Sequence, residues 1–353
     1  EFSHGLPHYQ RARELAERVG TLSNIRVFTH TAMVGAYSNN LVTAFQIGGE
    51  KDPFDERYLE IRAQSTVVAT GCIERPLLFE NNERPGVMQI GCAQRLARTY
   101  GVLPGRTAVF SVGHDLGLEA AADLCDLGLK IVCVADIRKE GQDPVWLHAL
   151  AERGIPLRRG WTAVAAQGKK EVRQVTLRNS DDKTQIDVAC DLLVASAGMT
   201  PLTGIVTLLQ GKLRFDPHTG FFLPVEIPAG LHVAGRILGL HDPHAIEAAG
   251  HKAGFEAALA CGAAAEDDLR QAAEAAAHRP GPVKGAPFVM PEGLGRKTFI
   301  CFDEDTTVNN VNQALAMGFD RPELIKRFTA AGTGPGQGGI PGHNLPLYLA
   351  PMQ

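Results

Sequence analysis

The spacing of apolar positions divides the chain into stretches of helical and of strand period. Residues 6–20 place Ala12, Leu15, Ala16 and Val19 on one helical face, with Gly20 as a stop. Apolar or alternating runs follow at 25–29, 41–47, 58–62 and 65–70. Asn39-Asn40 and Gly48-Gly49 serve as turns among the first three. These runs predict a small antiparallel meander that ends in a buried strand. From residue 106 the rhythm changes. An apolar strand (106–110), a turn (113–117), a helix (118–127) and a second strand (130–136) predict a βαβ unit. A helix over 146–154 and strands over 172–177 and 192–196 prolong the alternation, so a parallel sheet is expected between 106 and 198. A strand at 231–234, a small-residue helix over 243–261 and an alanine-rich helix over 263–277 come next. Arg279-Pro-Gly-Pro-Val-Lys-Gly-Ala-Pro287 then reads as a linker. Beyond Lys297 the pattern gives a strand, helices over 307–317 and 322–331, and a glycine-rich turn.

Composition narrows the class. A chain of 353 residues suggests two or three domains. With 44% hydrophobic and 21% charged residues it has an ordinary globular balance. A formal charge of −4 offers no basic surface for nucleic acid. No apolar run is long enough to span a membrane, and residues 1–20 lack the apolar core of a signal peptide. Seven scattered cysteines without a Cys-x-x-Cys pair fit the reduced thiols of a cytoplasm. The 38 glycines, among Ala, Val and Leu runs, fit α/β layers joined by tight turns.

The turn Val112-Gly113-His114-Asp115-Leu116-Gly117 stands where a dinucleotide fold carries Gly-x-Gly-x-x-Gly. Glycines there let the backbone approach a pyrophosphate at a helix N-terminus. Only Gly117 keeps its place. Val112 and His114 hold the other two glycine positions, with Gly113 between them. Asp136, at the end of the next strand, is placed to accept hydrogen bonds from an adenosine ribose. Arg138 would suit a 2′-phosphate, which the charge of Asp136 opposes. Two readings stand: a working dinucleotide site, or a Rossmann-like fold that has lost its nucleotide.

Val67-Val-Ala-Thr70-Gly71 and Ala195-Ser-Ala197-Gly198 both end strands and bracket this unit. Two-dinucleotide flavoproteins leave the flavin and nucleotide domains through such turns. Ala234-Gly235-Arg236 precedes the small-residue helix at a point where flavoproteins usually carry an aspartate, and arginine cannot accept a hydrogen bond. His232, His241, His244 and His251 cluster in sequence but lack metal-ligand spacing. Residues 332–342 are glycine-rich without the Gly-Lys-Ser/Thr of a P-loop.

Together with Asn82-Glu-Arg-Pro-Gly-Val-Met88, Cys190-Asp-Leu-Leu193 and Gly211-Lys-Leu-Arg-Phe-Asp216, the string Ala69-Thr-Gly-Cys-Ile-Glu-Arg-Pro76 resembles the α subunits of heterotetrameric sarcosine oxidase. It also resembles those of opine oxidase, dye-linked proline dehydrogenase and hydrogen cyanide synthase. Thr307-x3-Val311-x2-Ala314-x3-Gly318-Phe319, Ile325-Lys-Arg-Phe-Thr329 and Gly336-Gln-Gly338 continue the likeness.

The resemblance implies an α/β flavoprotein of the two-dinucleotide-binding-domain type. Residues 1–104 and 200–262 would form an FAD-type lobe, incomplete because no glycine-rich flavin fingerprint is present. Residues 105–199 would form an inserted Rossmann-like NAD domain, 263–296 a helix and linker, and 297–353 a small, mostly helical domain. The chain then looks like an internal piece of a longer polypeptide. NAD is the expected cofactor, held by Gly113, His114, Gly117, Asp136 and Arg138. FAD or FMN would lie at the lobe surface near Thr70, Gly71, Ala197, Gly198 and Gly235, or in the parent complex. Some relatives carry an iron–sulfur cluster on Cys-x-Cys and two later cysteines. Here Cys301 is accompanied by Asp303, Gly336 and Pro341, so no cluster is expected. The implied partners are small accessory subunits and an amine-oxidising β subunit, and the implied substrate is a secondary amine or N-substituted amino acid. No motif offers an independent catalytic site, and the isolated chain is expected to be inactive. A non-catalytic binding or scaffold module is the alternative.

Overall fold

The computed structural model describes residues 2–3, 6–263, 266–277, 293–336 and 338–352. Two compact units divide the chain. One holds residues 1–72, 201–216 and 221–282, the other 73–200, 217–220 and 283–353. Residues 73–104, read from the sequence as part of the flavin-type lobe, and residues 297–353, read as a domain of their own, both fall in the second unit.

The first unit opens with α1 (His8–Thr21), then an antiparallel meander of β1 (Thr31–Tyr37), β2 (Leu41–Ile47) and β3 (Glu56–Arg62). The strand expected at 25–29 is not formed. That segment runs extended without a partner, with Ile25 and Val27 exposed. The paired strand starts only after His30, whose φ of +50° turns the chain. A short strand β4 (Thr66–Val68) follows, and the chain passes into the second unit after Cys72.

That unit is built on a five-stranded parallel sheet. Its strands are β5 (Val87–Met88), β6 (Thr107–Val112), β7 (Lys130–Asp136), β8 (Leu157–Arg159) and, after an antiparallel excursion, Leu192–Ser196. The excursion is β9 (Trp161–Gln167), β10 (Gln174–Asn179) and β11 (Gln185–Ala189), which makes Leu192–Ser196 strand β12. The spatial order is β8-β7-β6-β12-β5. Helices α2 (Ile90–Tyr100), α3 (Asp115–Asp126) and α4 (Pro144–Glu152) cover one face. The β9–β11 sheet covers the other.

Residues of β6 and β12 alternate between these two layers. Ala108, Phe110, Val112, Leu192 and Val194 meet the helices, while Val109, Leu193 and Ala195 meet β9–β11. Burial on both faces is why these strands read as unbroken apolar runs. The region between 106 and 198 was expected to form one parallel sheet. The strand expected at 172–177 lies instead at Gln174–Asn179 and pairs antiparallel with both neighbours. A tight turn with Lys183 at φ +61° makes that hairpin possible, whereas a parallel partner needs a long crossover.

Back in the first unit, β13 (Leu231–Val233) pairs parallel with β4, over a small core of Val68, Val206, Leu231 and Ile237. Helix α5 (Pro243–Ala260) starts at Asp242, whose carboxylate accepts from Ala245 N at 2.7 Å, with Pro243 at the first helical position. Helix α6 (Glu266–Ala277) follows. The expected linker at 279–287 lies outside the described residues.

The C-terminal segment contains α7 (Val308–Ala316), α8 (Pro322–Thr329) and α9 (Pro341–Leu349). They enclose Ile300, Val311, Ile325, Leu345 and, from the Arg75–Asn82 stretch, Leu78. Asn82 fixes this segment by pairing its side-chain amide with both backbone groups of Phe299, at 2.9 Å each way. That pairing gives the Asn82–Met88 motif a structural role. Helix α9 has no apolar period in the sequence, because Pro341, Gly342 and Pro346 interrupt it.

Candidate dinucleotide-binding site

β6 ends at Val112, and α3 begins at Asp115. Gly117 sits in the first turn of α3, where a Cβ would stand 2.5 Å from Val112 Cγ1. The strand and the helix therefore touch where only glycine fits, as the last fingerprint glycine requires. Gly113 is buried in the connecting turn. His114 does not face outward. Its ring is buried, with Nε2 2.9 Å from Ser196 Oγ at the end of the adjacent β12. The imidazole thus lies across the carboxyl ends of β6 and β12, the edge at which open α/β sheets bind ligands.

Asp136 ends β7, as the fingerprint requires, and has no exposed surface. Its carboxylate accepts from Arg138 N (2.9 Å), Nε (3.1 Å) and Nη2 (2.8 Å), and from Gln142 Nε2 (3.3 Å). Arg138 Nη2 also lies 2.8 Å from Asp115 Oδ1 in the first turn of α3. Burial works against the Arg138 charge, but Asp136 and then Asp115 raise its pKa. Arg138 Nη1 is buried and has no hydrogen-bond partner among the described residues.

Ala197 and Gly198, the second exit turn, lie beside Glu74 and Arg75. Backbone bonds join Arg75 N to Gly198 O and Ala197 N to Arg75 O, both at 2.8 Å. The Arg75 side chain donates to Ala197 O at 2.7 Å, and burial pulls its pKa down to about 10. The Glu74 carboxylate accepts from Ile90 N and Gly91 N, both at 2.8 Å, and so caps α2. Burial pushes its pKa up, against the bonds from Gly91, Ser196 and Ile90. Sequence reasoning did not single out Glu74, Arg75 or Ser196. The only signal was their presence in the Ala69–Pro76 and Ala195–Gly198 strings.

In the first unit, Thr70 Oγ1 donates to Leu202 O at 2.7 Å, and Gly71 O accepts from Leu202 N at 3.0 Å. Gly71 and Gly235 have φ of +75° and +76°. Arg236 follows Gly235 and contacts the Cys72 thiol, whose pKa burial raises and Arg236 lowers. A guanidinium cannot accept from a flavin ribityl hydroxyl, so this position does not fit the usual flavin contact. The histidines go separate ways. His232 Nδ1 is 3.3 Å from Glu256, and burial followed by Arg236 holds His241 down to about 4. Among the described residues, no three His, Cys, Asp or Glu side chains converge on a metal-sized site. No helix among them is long and apolar enough to cross a membrane.

The parallel sheet, its strand–turn–helix crossing and the acid closing β7 define a dinucleotide-binding flavoprotein fold. The L-proline dehydrogenase of P. horikoshii shares that fold at a TM-score of 0.68 and 22% identity, over 97% of this chain and 63% of that one. Residues 295–347 match the sarcosine oxidase A3 domain. The chain is 30% identical to the sarcosine oxidase α subunit of Corynebacterium sp. (strain P-1), over 87% of its own length and 33% of that protein. It is 26% identical to an opine oxidase subunit of Agrobacterium tumefaciens (strain Ach5), over 94% of its length and 72% of that protein. The chain is therefore a homologue of the sarcosine oxidase α subunits and their amine-oxidase relatives. It spans about a third of the length of the Corynebacterium protein.

Three features fit NAD, the cofactor that the resemblance implies. They are the glycine-only contact at Gly117, the acid at the end of β7, and the unmatched Arg138 donor beside the first turn of α3.

Proposed function

We propose that this chain is an α-type subunit, or part of one, of a multi-subunit flavin-dependent oxidoreductase that oxidises a secondary amine or an N-substituted amino acid. Its parallel-sheet unit would hold NAD at the start of α3, with the adenosine ribose on Asp136. NAD would supply hydride-transfer chemistry when bound. The chain's own residues orient the dinucleotide: the α3 amides face the pyrophosphate, Gly117 lets the helix start against β6, and Asp136 repels a 2′-phosphate. Flavin, and the oxidation of the amine, are assigned to the parent complex and its β subunit. The thiols suit a reducing cytoplasm, since the described cysteines are all free.

The observation that carries this reading is the crossing of β6 into α3 at Gly117, with Asp136 closing the adjacent strand. The test is the absorbance spectrum of the purified protein, the mass of any released nucleotide, and calorimetric titration with NAD and FAD. NAD binding supports the reading, and failure of NAD to bind defeats it. A second reading, a non-catalytic scaffold, is favoured by one observation: the Asp136 carboxylate is already saturated by Arg138 and Gln142. It predicts a colourless protein that assembles with partner subunits and takes up no nucleotide.

A further inference from the structure

The bridge Asp136–Arg138–Asp115 occupies the two places that matter most to a dinucleotide. Asp136 is the acid that a ribose would use, and Asp115 lies in the helical turn that a pyrophosphate would face. One guanidinium spans both. The Arg138 side chain is only 6% exposed, yet its Nη1 stays unmatched among the described residues. A buried donor without an acceptor is costly and is rarely kept in a purely structural bridge. At a phosphate-binding turn it marks a donor that a ligand can complete.

We propose that Arg138 is a specificity-determining latch. It competes with the adenosine ribose for Asp136, and Asp136 in turn withholds from the ligand the one guanidinium able to accept a 2′-phosphate. This rests on the reading that the unit takes a dinucleotide. Three consequences follow from the geometry. NAD binds only as the Arg138–Asp136 bonds are exchanged for ribose hydroxyls, so the latch weakens NAD affinity. Loss of the guanidinium fork strengthens NAD binding. Neutralising Asp136 removes the ribose acceptor and frees Arg138 for the extra phosphate, so preference turns from NAD towards NADP.

The test is calorimetric titration of NAD and NADP into the full chain and into Arg138→Lys, Arg138→Ala and Asp136→Asn. A charge-assisted hydrogen-bond competitor is worth about tenfold in affinity. NAD is therefore expected to bind about tenfold more tightly to both Arg138 variants. Asp136→Asn is expected to lose NAD affinity and to gain NADP affinity by a similar factor. Because Arg138→Ala strips a buried carboxylate of its partner and can unfold the unit, a second readout uses the unaltered protein. The Arg138 Nε–H resonance, assigned by its loss in Arg138→Lys, should shift as NAD is added. NAD binding of unchanged strength in Arg138→Lys, or an unmoved resonance at saturating NAD, overturns the latch and leaves the NAD site standing. Failure of NAD to bind the wild type and every variant overturns both.

Discussion

His114 Nε2 lies 2.9 Å from Ser196 Oγ, so the residue in the second glycine position of the fingerprint is tied to the end of the neighbouring strand. The bond is buried and joins positions 82 residues apart in sequence. Ser196 also bonds Glu74, the cap of α2. The histidine that crowds the nucleotide turn thereby braces the sheet edge that forms it.

The brace should be measurable. His114→Ala and Ser196→Ala are each expected to lower stability by about 1–3 kcal/mol, the cost of breaking a buried hydrogen bond. In a double-mutant cycle from urea denaturation the two should couple by about 1 kcal/mol. Strict additivity would show that the bond contributes nothing.

Gly117→Ala places a methyl group against Val112 and is expected to cost about 1–3 kcal/mol by overpacking, seen as a lower Tm. Val112→Ala in the same chain should recover part of the loss, because the methyl group then meets open space. If Gly117→Ala leaves the Tm unchanged, β6 and α3 are not in contact at that point.

Stability should fall on mild acidification. Burial, then Arg236, holds His241 down to about 4, and burial, then Arg75, does the same for His343. An unfolded histidine takes its proton near pH ~6.5. Between these values the unfolded chain binds more protons than the folded one, so stability drops as pH falls from about 6.5 to about 4 and is constant in this respect above that window. The slope approaches about 1.4 kcal/mol per pH unit for each histidine. Urea midpoints measured from pH 7.5 down to 4.5 should show this slope, and His241→Gln and His343→Gln should each flatten it.

The site that carries an iron–sulfur cluster in some relatives should be metal-free here. Asp303 Oδ2 accepts from Gly336 N at 2.8 Å, and a Cβ at Gly336 would collide with that oxygen. Cys301 lies fully buried nearby in the chain. Elemental analysis is expected to find no stoichiometric iron, and Asp303→Ala to cost about 1 kcal/mol for the lost bond. One or more iron atoms per chain would refute this.

The sequence alone determined the elements whose burial is uniform. Lys130–Asp136 and Leu192–Ser196 were legible to the residue, because a strand covered on both faces must be apolar throughout and is bounded by what it cannot bury. Helix α5 was legible from its Asp242-Pro243 start. Gly117 and Asp136 were legible because a strand–turn–helix crossing constrains residue type locally. Tertiary structure alone decided the rest. The apolar run at 25–29 finds no partner, and period does not reveal whether a strand has one. Gln174–Asn179 pairs antiparallel, since direction is set by the length of the connection and not by the strand. Arg138 on Asp136, Ser196 on His114, Glu74 on α2 and Asn82 on Phe299 are pairings of polar groups within the second unit. Hydrogen bonds carry no periodic signature, and their partners are fixed only when the sheet brings distant strand ends to one edge.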